Sequence, residues 1–140
     1  MPMMPKRVKF RKFQRGKNRG IAVKGAELNF GEFGLKALAN GVVKNTHIEA
    51  VRVLLARHLR GGGKVYIRIF PQKSITKKPA ETRMGKGKGE LSCWVASVRR
   101  GMVLFELGGI PEALARQSLR LAAFKLPVRT KFVSRTATYA

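Results

Sequence analysis

The sequence predicts an α+β protein: two helices packed on one face of a largely antiparallel sheet, with a basic extended N-terminal arm and a long Gly/Lys loop. Three observations carry that expectation. Two stretches show helical apolar spacing with stop signals behind them, near residues 46–60 and 111–126. Short β-prone stretches surround them in the order strand pair, helix, strand, long loop, hairpin, helix, strand. Charge is the third: 30 Lys plus Arg against seven acids, all of them Glu, leave a net +23 on 140 residues. An apolar fraction of 44% still supplies a core at this length, so wholesale disorder is not expected.

Residues 1–20 read MPMMPKRVKFRKFQRGKNRG and hold eight basic residues between Lys6 and Arg19, whereas the first acid is Glu27. Such a block repels itself and should be extended, which sets it apart from residues 21–140 as a single α+β domain. Val8, Phe10 and Phe13 interleave with the charges, adding apolar or stacking contacts that a merely solvated tail would not need. Apolar pieces at residues 21–23 and 28–30, punctuated by Gly25, Gly31, Gly34 and Gly41, suggest two short strands, the second near residues 33–38.

The first helix is marked by Thr46 as N-cap with Glu49 reaching back from the third helical position. Ile48, Val51, Leu55 and Leu59, with Leu54 beside them, form its buried stripe, and Gly61-Gly62-Gly63 end it. His58 borders that stripe as a packed, hydrogen-bonded residue. Residues 64–70, KVYIRIF, alternate as a strand closed by Pro71, and residues 71–90 read as one long basic connection. Strands at 91–98 and 102–107 flank Arg100-Gly101, short enough for a hairpin turn. A second helix opens at Pro111-Glu112 and turns Leu114, Ala115, Ser118, Leu121 and Ala122 inward until Pro127 stops it. A last strand at 128–133 and a basic polar tail at 134–140 complete the chain, which has no internal repeat.

The charge balance calls for a polyanion. Nucleic acid fits best, because neutralised phosphates release condensed counterions. A membrane surface would need a basic amphipathic helix or a lipid anchor, and no apolar run approaches the ~20 residues of a membrane span. The N-terminus lacks the apolar core of a secretory signal and the serines of a transit peptide. Cys93 is the only cysteine, which suits a reducing compartment, and its apolar neighbours mark it as a small buried filler. With two histidines, one cysteine and no Asp, a zinc site or a Ser-His-Asp triad lacks material.

Arg83-Met84-Gly85-Lys86-Gly87-Lys88-Gly89 invites a phosphate-loop reading, but Gly87 and Gly89 follow the lysines where a P-loop needs a hydroxyl. A dinucleotide loop would need glycine at Glu90 and a helix behind it, where a strand is expected. The chain is therefore expected to be no enzyme, with no cofactor, no metal and no small-molecule substrate. In such a loop Arg83, Lys86 and Lys88 donate charged hydrogen bonds, and the glycines let backbone lie close against a phosphate chain. From these residues alone an ordinary flexible turn fits as well.

A series of strings narrows the choice. Pro5 to Lys12, Asn18-Arg19-Gly20, Phe30 to Ala37 (FGEFGLKA) and Ile48-Glu49-Ala50 come first. Ile67 to Pro71, Arg83 to Gly89 and Ile110 to Ala115 (IPEALA) follow in order. The chain resembles the universal large-subunit ribosomal protein L-sixteen family in its bacterial form, over almost its whole length. That resemblance implies a structural constituent of the large ribosomal subunit, cytoplasmic on the ribosome, that joins late in assembly near the peptidyl-transferase centre. Its partners would be large-subunit rRNA, tRNA and neighbouring ribosomal proteins. Carried onto this chain, it assigns Lys6, Arg7, Lys9, Arg11, Lys12, Arg15, Lys17 and Arg19 to rRNA. Arg83, Met84, Gly85, Lys86, Gly87 and Lys88 become a tRNA-facing loop near the A and P sites, and Arg83 matches an arginine hydroxylated in some bacteria.

Overall fold

The computed structural model describes residues 3–135, so residues 136–140 of the tail expected at 134–140 lie outside the described residues, and Ser134 belongs to the last strand instead. Elements follow in the order β1 (Phe33–Ala37), β2 (Gly41–Lys44), α1 (Asn45–His58), β3 (Lys64–Ile67) and β4 (Lys73–Lys77), then β5 (Glu90–Val98), β6 (Val103–Gly108), α2 (Glu112–Ala123) and β7 (Thr130–Ser134). The α+β class and the antiparallel pairing are as expected, but the strands divide into two sheets, β3-β6-β1-β7 and β2-β5-β4.

The division arises at the turn between β5 and β6. Met102 N–H donates to Arg99 O at 3.1 Å, and Gly101 takes the left-handed φ of 92° that this tight turn requires. The turn is as expected; the hairpin is not. Ala37 and Met102 share the ladder instead, with Ala37 N–H on Met102 O at 2.8 Å, so β6 pairs with β1 and β5 with β2 and β4. Two strands escaped the sequence reading. Residues 41–44 follow Gly41 too closely to show a pattern, and β4 lies inside the supposed connection as KSITK, exposed only at its last residue. The expected strand at 21–23 reduces to a single bridge between Ile21 and Arg100.

Helix α1 buries Ile48, Val51 and Leu55 completely and Leu59 almost so, against the same cluster that holds Leu35, Val43, Val98, Phe105 and Leu107. Each such Leu or Ile contributes about 1.5–3 kcal/mol of transfer free energy. Its start differs from the capping box expected of Thr46 and Glu49. Lys44 is the N-cap, its N–H donates to His47 Nδ1 at 3.3 Å, and Glu49 is drawn away to Arg52 at 2.9 Å. Partial burial, then the Lys44 charge, hold the His47 pKa below the usual histidine value, which suits its acceptor role. His58 is exposed, because it sits in the last turn beyond the packed face.

Helix α2 buries Ala115, Ser118, Leu119 and Ala122. Leu119 takes the place expected of Leu121, which is exposed, because the face advances by four and then three residues from Ala115. The helix ends at Ala123, before Pro127 can stop it, and Lys125 N–H closes the end on Ala122 O at 3.0 Å.

The far face of the four-stranded sheet is covered by the chain itself. Every residue of β6 from Val103 to Leu107 is buried, because the chain before β1 lies across that face. A Cβ on Gly34 would fall 2.4 Å from Leu28 Cδ2, and one on Gly31 only 2.5 Å from Leu107 O and 2.8 Å from its carbonyl carbon. Backbone cannot retreat as a side-chain tip can. Gly31→Ala is therefore expected to cost about 1–3 kcal/mol, read as a lowered urea midpoint with an unchanged m-value.

Candidate nucleic-acid interface

Over its described residues, 3–20, the arm contains no helix or strand and runs over the three-stranded sheet, attached mainly through its main chain. Ser74 Oγ donates to Arg11 O, Lys73 Nζ to Arg15 O and Lys88 Nζ to Phe13 O. Asn18 Nδ2 bridges the ends of β2 and β5 by donating to Gly41 O at 2.9 Å and Val98 O at 3.0 Å. Phe13 stands edge-on to the buried Trp94, with centroids 6.3 Å apart. Carbonyls, the Asn18 amide and one aromatic ring do most of the holding, so the charged side chains other than Lys12 stay free. All eight of Lys6, Arg7, Lys9, Arg11, Lys12, Arg15, Lys17 and Arg19 are exposed.

Residues 78–89 join β4 to β5, whose ladder ends at the Lys77–Glu90 pair. The base is tight, since a Cβ on Gly89 would lie 2.9 Å from the Lys77 carbonyl carbon. Beyond it Arg83, Met84, Gly85, Lys86, Gly87 and Lys88 are all exposed, Met84 at 95%. Gly85, Lys86 and Gly87 take positive φ in succession, 113°, 58° and 88°. Glycine does this without a Cβ penalty; for Lys86 the left-handed conformation costs roughly 1–2 kcal/mol. Lys78 Nζ steadies the turn on Gly85 O at 2.7 Å.

Arm and loop, 75 residues apart, meet: Lys12 Nζ donates to Lys88 O at 3.3 Å, while Lys88 returns to Phe13 O. The residues that seat the arm, Asn18, Lys73, Ser74 and Trp94, had no local signal, because each acts on carbonyls or a ring far along the chain. Cys93 is half-buried on β5 opposite Ile75, so the expected filler is only partly enclosed.

Beneath the far face lies a buried ion pair that scattered glutamates did not announce. Glu106 is fully buried and accepts N–H donors from Asn29 at 3.3 Å, Phe30 at 2.8 Å and Gly31 at 2.6 Å, and it pairs with Arg68. Burial pushes its pKa up, but the Gly31 amide, Arg68 and the other two amides outweigh that and hold it below the usual glutamate value. Arg68 also donates to Glu27 O at 3.1 Å. The pair pins residues 27–31 to the sheet. No group of three or more His, Cys, Asp or Glu is placed to hold a metal among the described residues.

Fold and surface together define a class: a strongly basic α+β protein whose core serves as a mount for a cationic arm and a cationic loop. Within that class the chain belongs to the ribosomal protein L16p/L10e family, which it matches over residues 5–133. It is 53% identical over 135 residues to a large ribosomal subunit protein uL16 of Methylacidiphilum infernorum, covering 96% of this chain and 94% of the relative. A protein of the same description from Leptospira biflexa is 56% identical over 133 residues, covering 95% and 97%. Membership in a family of structural ribosomal proteins makes this chain a non-enzyme.

Proposed function

We propose that this chain is a structural constituent of the large ribosomal subunit, located on the ribosome in the cytoplasm. The arm of residues 1–20 binds large-subunit rRNA through Lys6, Arg7, Lys9, Arg11, Lys12, Arg15, Lys17 and Arg19. Residues 83–88 reach towards tRNA near the A and P sites, and neighbouring ribosomal proteins surround the α+β domain of residues 21–140. One observation carries the reading: the arm is held chiefly by its carbonyls, so seven of its eight cations are left for phosphate and only Lys12 is drawn to a protein carbonyl, that of Lys88. Membership in a ribosomal protein family supports RNA as the polyanion. Sedimentation of an extract tests it, with tagged protein expected in the large-subunit fraction; failure to track with that fraction rejects the proposal.

The loop has its own test. Subunits carrying Arg83→Ala and Lys86→Ala should assemble, since neither side chain seats the arm, but bind A-site tRNA more weakly, by about tenfold for each charged hydrogen bond lost. Wild-type tRNA affinity in such subunits would remove the loop from the proposal and leave the arm in it.

A further inference from the structure

Phe30 is a large apolar side chain left 62% exposed, yet its ring meets both Tyr66 and Arg68. Its N–H and those of Asn29 and Gly31 all end on the buried Glu106 carboxylate, so the backbone beneath the ring cannot shift. The ring stacks on Tyr66 with centroids 5.6 Å apart and planes 24° from parallel, and the Arg68 guanidinium lies 5.3 Å from its centroid. Tyr66 lies opposite Glu106 in the sheet, Arg68 just beyond the end of β3 donates its N–H to Leu104 O and pairs with the same Glu106, and the segment carrying Phe30 lies over that face. With both contacts made, the Phe30 side chain is still mostly open to solvent.

We infer that Phe30, seated on Tyr66 and Arg68, is a stacking platform for one unpaired RNA base, separate from the arm and the loop. The inference rests on the rRNA reading above and adds a contact of a different kind. Single exposed phenylalanines are ordinary. This one is preorganised: three amide bonds and an aromatic partner have already met the cost of ordering it, so a base that stacks on it gains the contact without further ordering. Local charge argues against a phosphate site. Exposed Lys64 and Arg135 are matched by exposed Glu27 and Glu32, and the Arg68 charge is already met by Glu106. The platform thus offers a π surface in nearly neutral surroundings, which selects the face of a base over its backbone.

The test is equilibrium binding of the full chain to transcribed large-subunit rRNA across a salt series, for the wild type, Phe30→Ala, Phe30→Leu and Phe30→Trp. The Ala and Leu variants should bind roughly 5- to 150-fold more weakly, with the slope of log K against log salt unchanged because no phosphate contact is lost. Phe30→Trp should match the wild type. Leu keeps the apolar cover without the π face, so it decides the matter even if the Ala variant unfolds. Wild-type affinity in Phe30→Leu, or a changed salt slope, overturns the platform while the arm reading stands. Absence of salt-dependent binding by the wild type overturns both.

Discussion

Glu106→Gln is expected to lower the unfolding free energy by about 3–5 kcal/mol, the usual cost of breaking a buried ion pair from one side. The carboxylate serves three amides and Arg68 at once, and it has no route to solvent. An amide group of the same shape loses the charge and points an N–H at one of those donors, leaving Arg68 nearly buried and unpaired. A domain of this size has about 5–15 kcal/mol in all, so the loss should show as a large fall in the urea midpoint. The pH dependence follows from the lowered pKa of Glu106. Its folded value lies below its unfolded one, so its contribution is complete above the ordinary glutamate value of about 4.3. That contribution is lost as pH falls through the folded value. Acid titration of the wild type should therefore show a stability loss below about pH 4 that Glu106→Gln lacks. Equal acid sensitivity in the two proteins would refute the assignment.

Replacing the eight arm cations by Ala should nearly abolish the salt dependence of rRNA binding. With about eight phosphate contacts at a slope near −0.7 to −0.9 each, the wild type should show a slope of roughly −6 to −7. Between about 50 and 200 mM salt that corresponds to roughly 10³- to 10⁵-fold in affinity. The variant should fold as the wild type does, because, the exposed Lys12 bond to Lys88 O aside, the arm's attachments use Arg11, Phe13 and Arg15 carbonyls and the Asn18 amide, which the substitutions leave in place. Thermal unfolding measured beside the binding checks that point. A slope that stays near the wild-type figure would mean that the arm is not the phosphate contact.

Both predictions mark where sequence reasoning reached and where it stopped. The stripe Ile48, Val51, Leu55 and Leu59 was legible because helical spacing alone determines which side chains share a face, and the core did bury that face. Thr46 failed as a cap for a comparable local reason: Lys44 and His47 closed the first turn one residue pair earlier, and Arg52 took Glu49. Residues 91–107 showed two strands and a turn correctly, yet no local pattern says which neighbours a strand will take. Tertiary packing gave β5 to one sheet and β6 to the other.

Charge, the two cationic segments, the face of the first helix and the family were all legible in the chain alone, because composition, periodicity and ordered motifs are properties of residues read in order. Only the tertiary structure decided that Lys12 and Phe13 meet Lys88, that carbonyls hold the arm, and that residues 27–31 close over Glu106. Those are contacts between groups about 75 residues apart. A hydrogen bond of that kind leaves no spacing for a sequence to display, since its geometry exists only after the sheets have brought the two segments together.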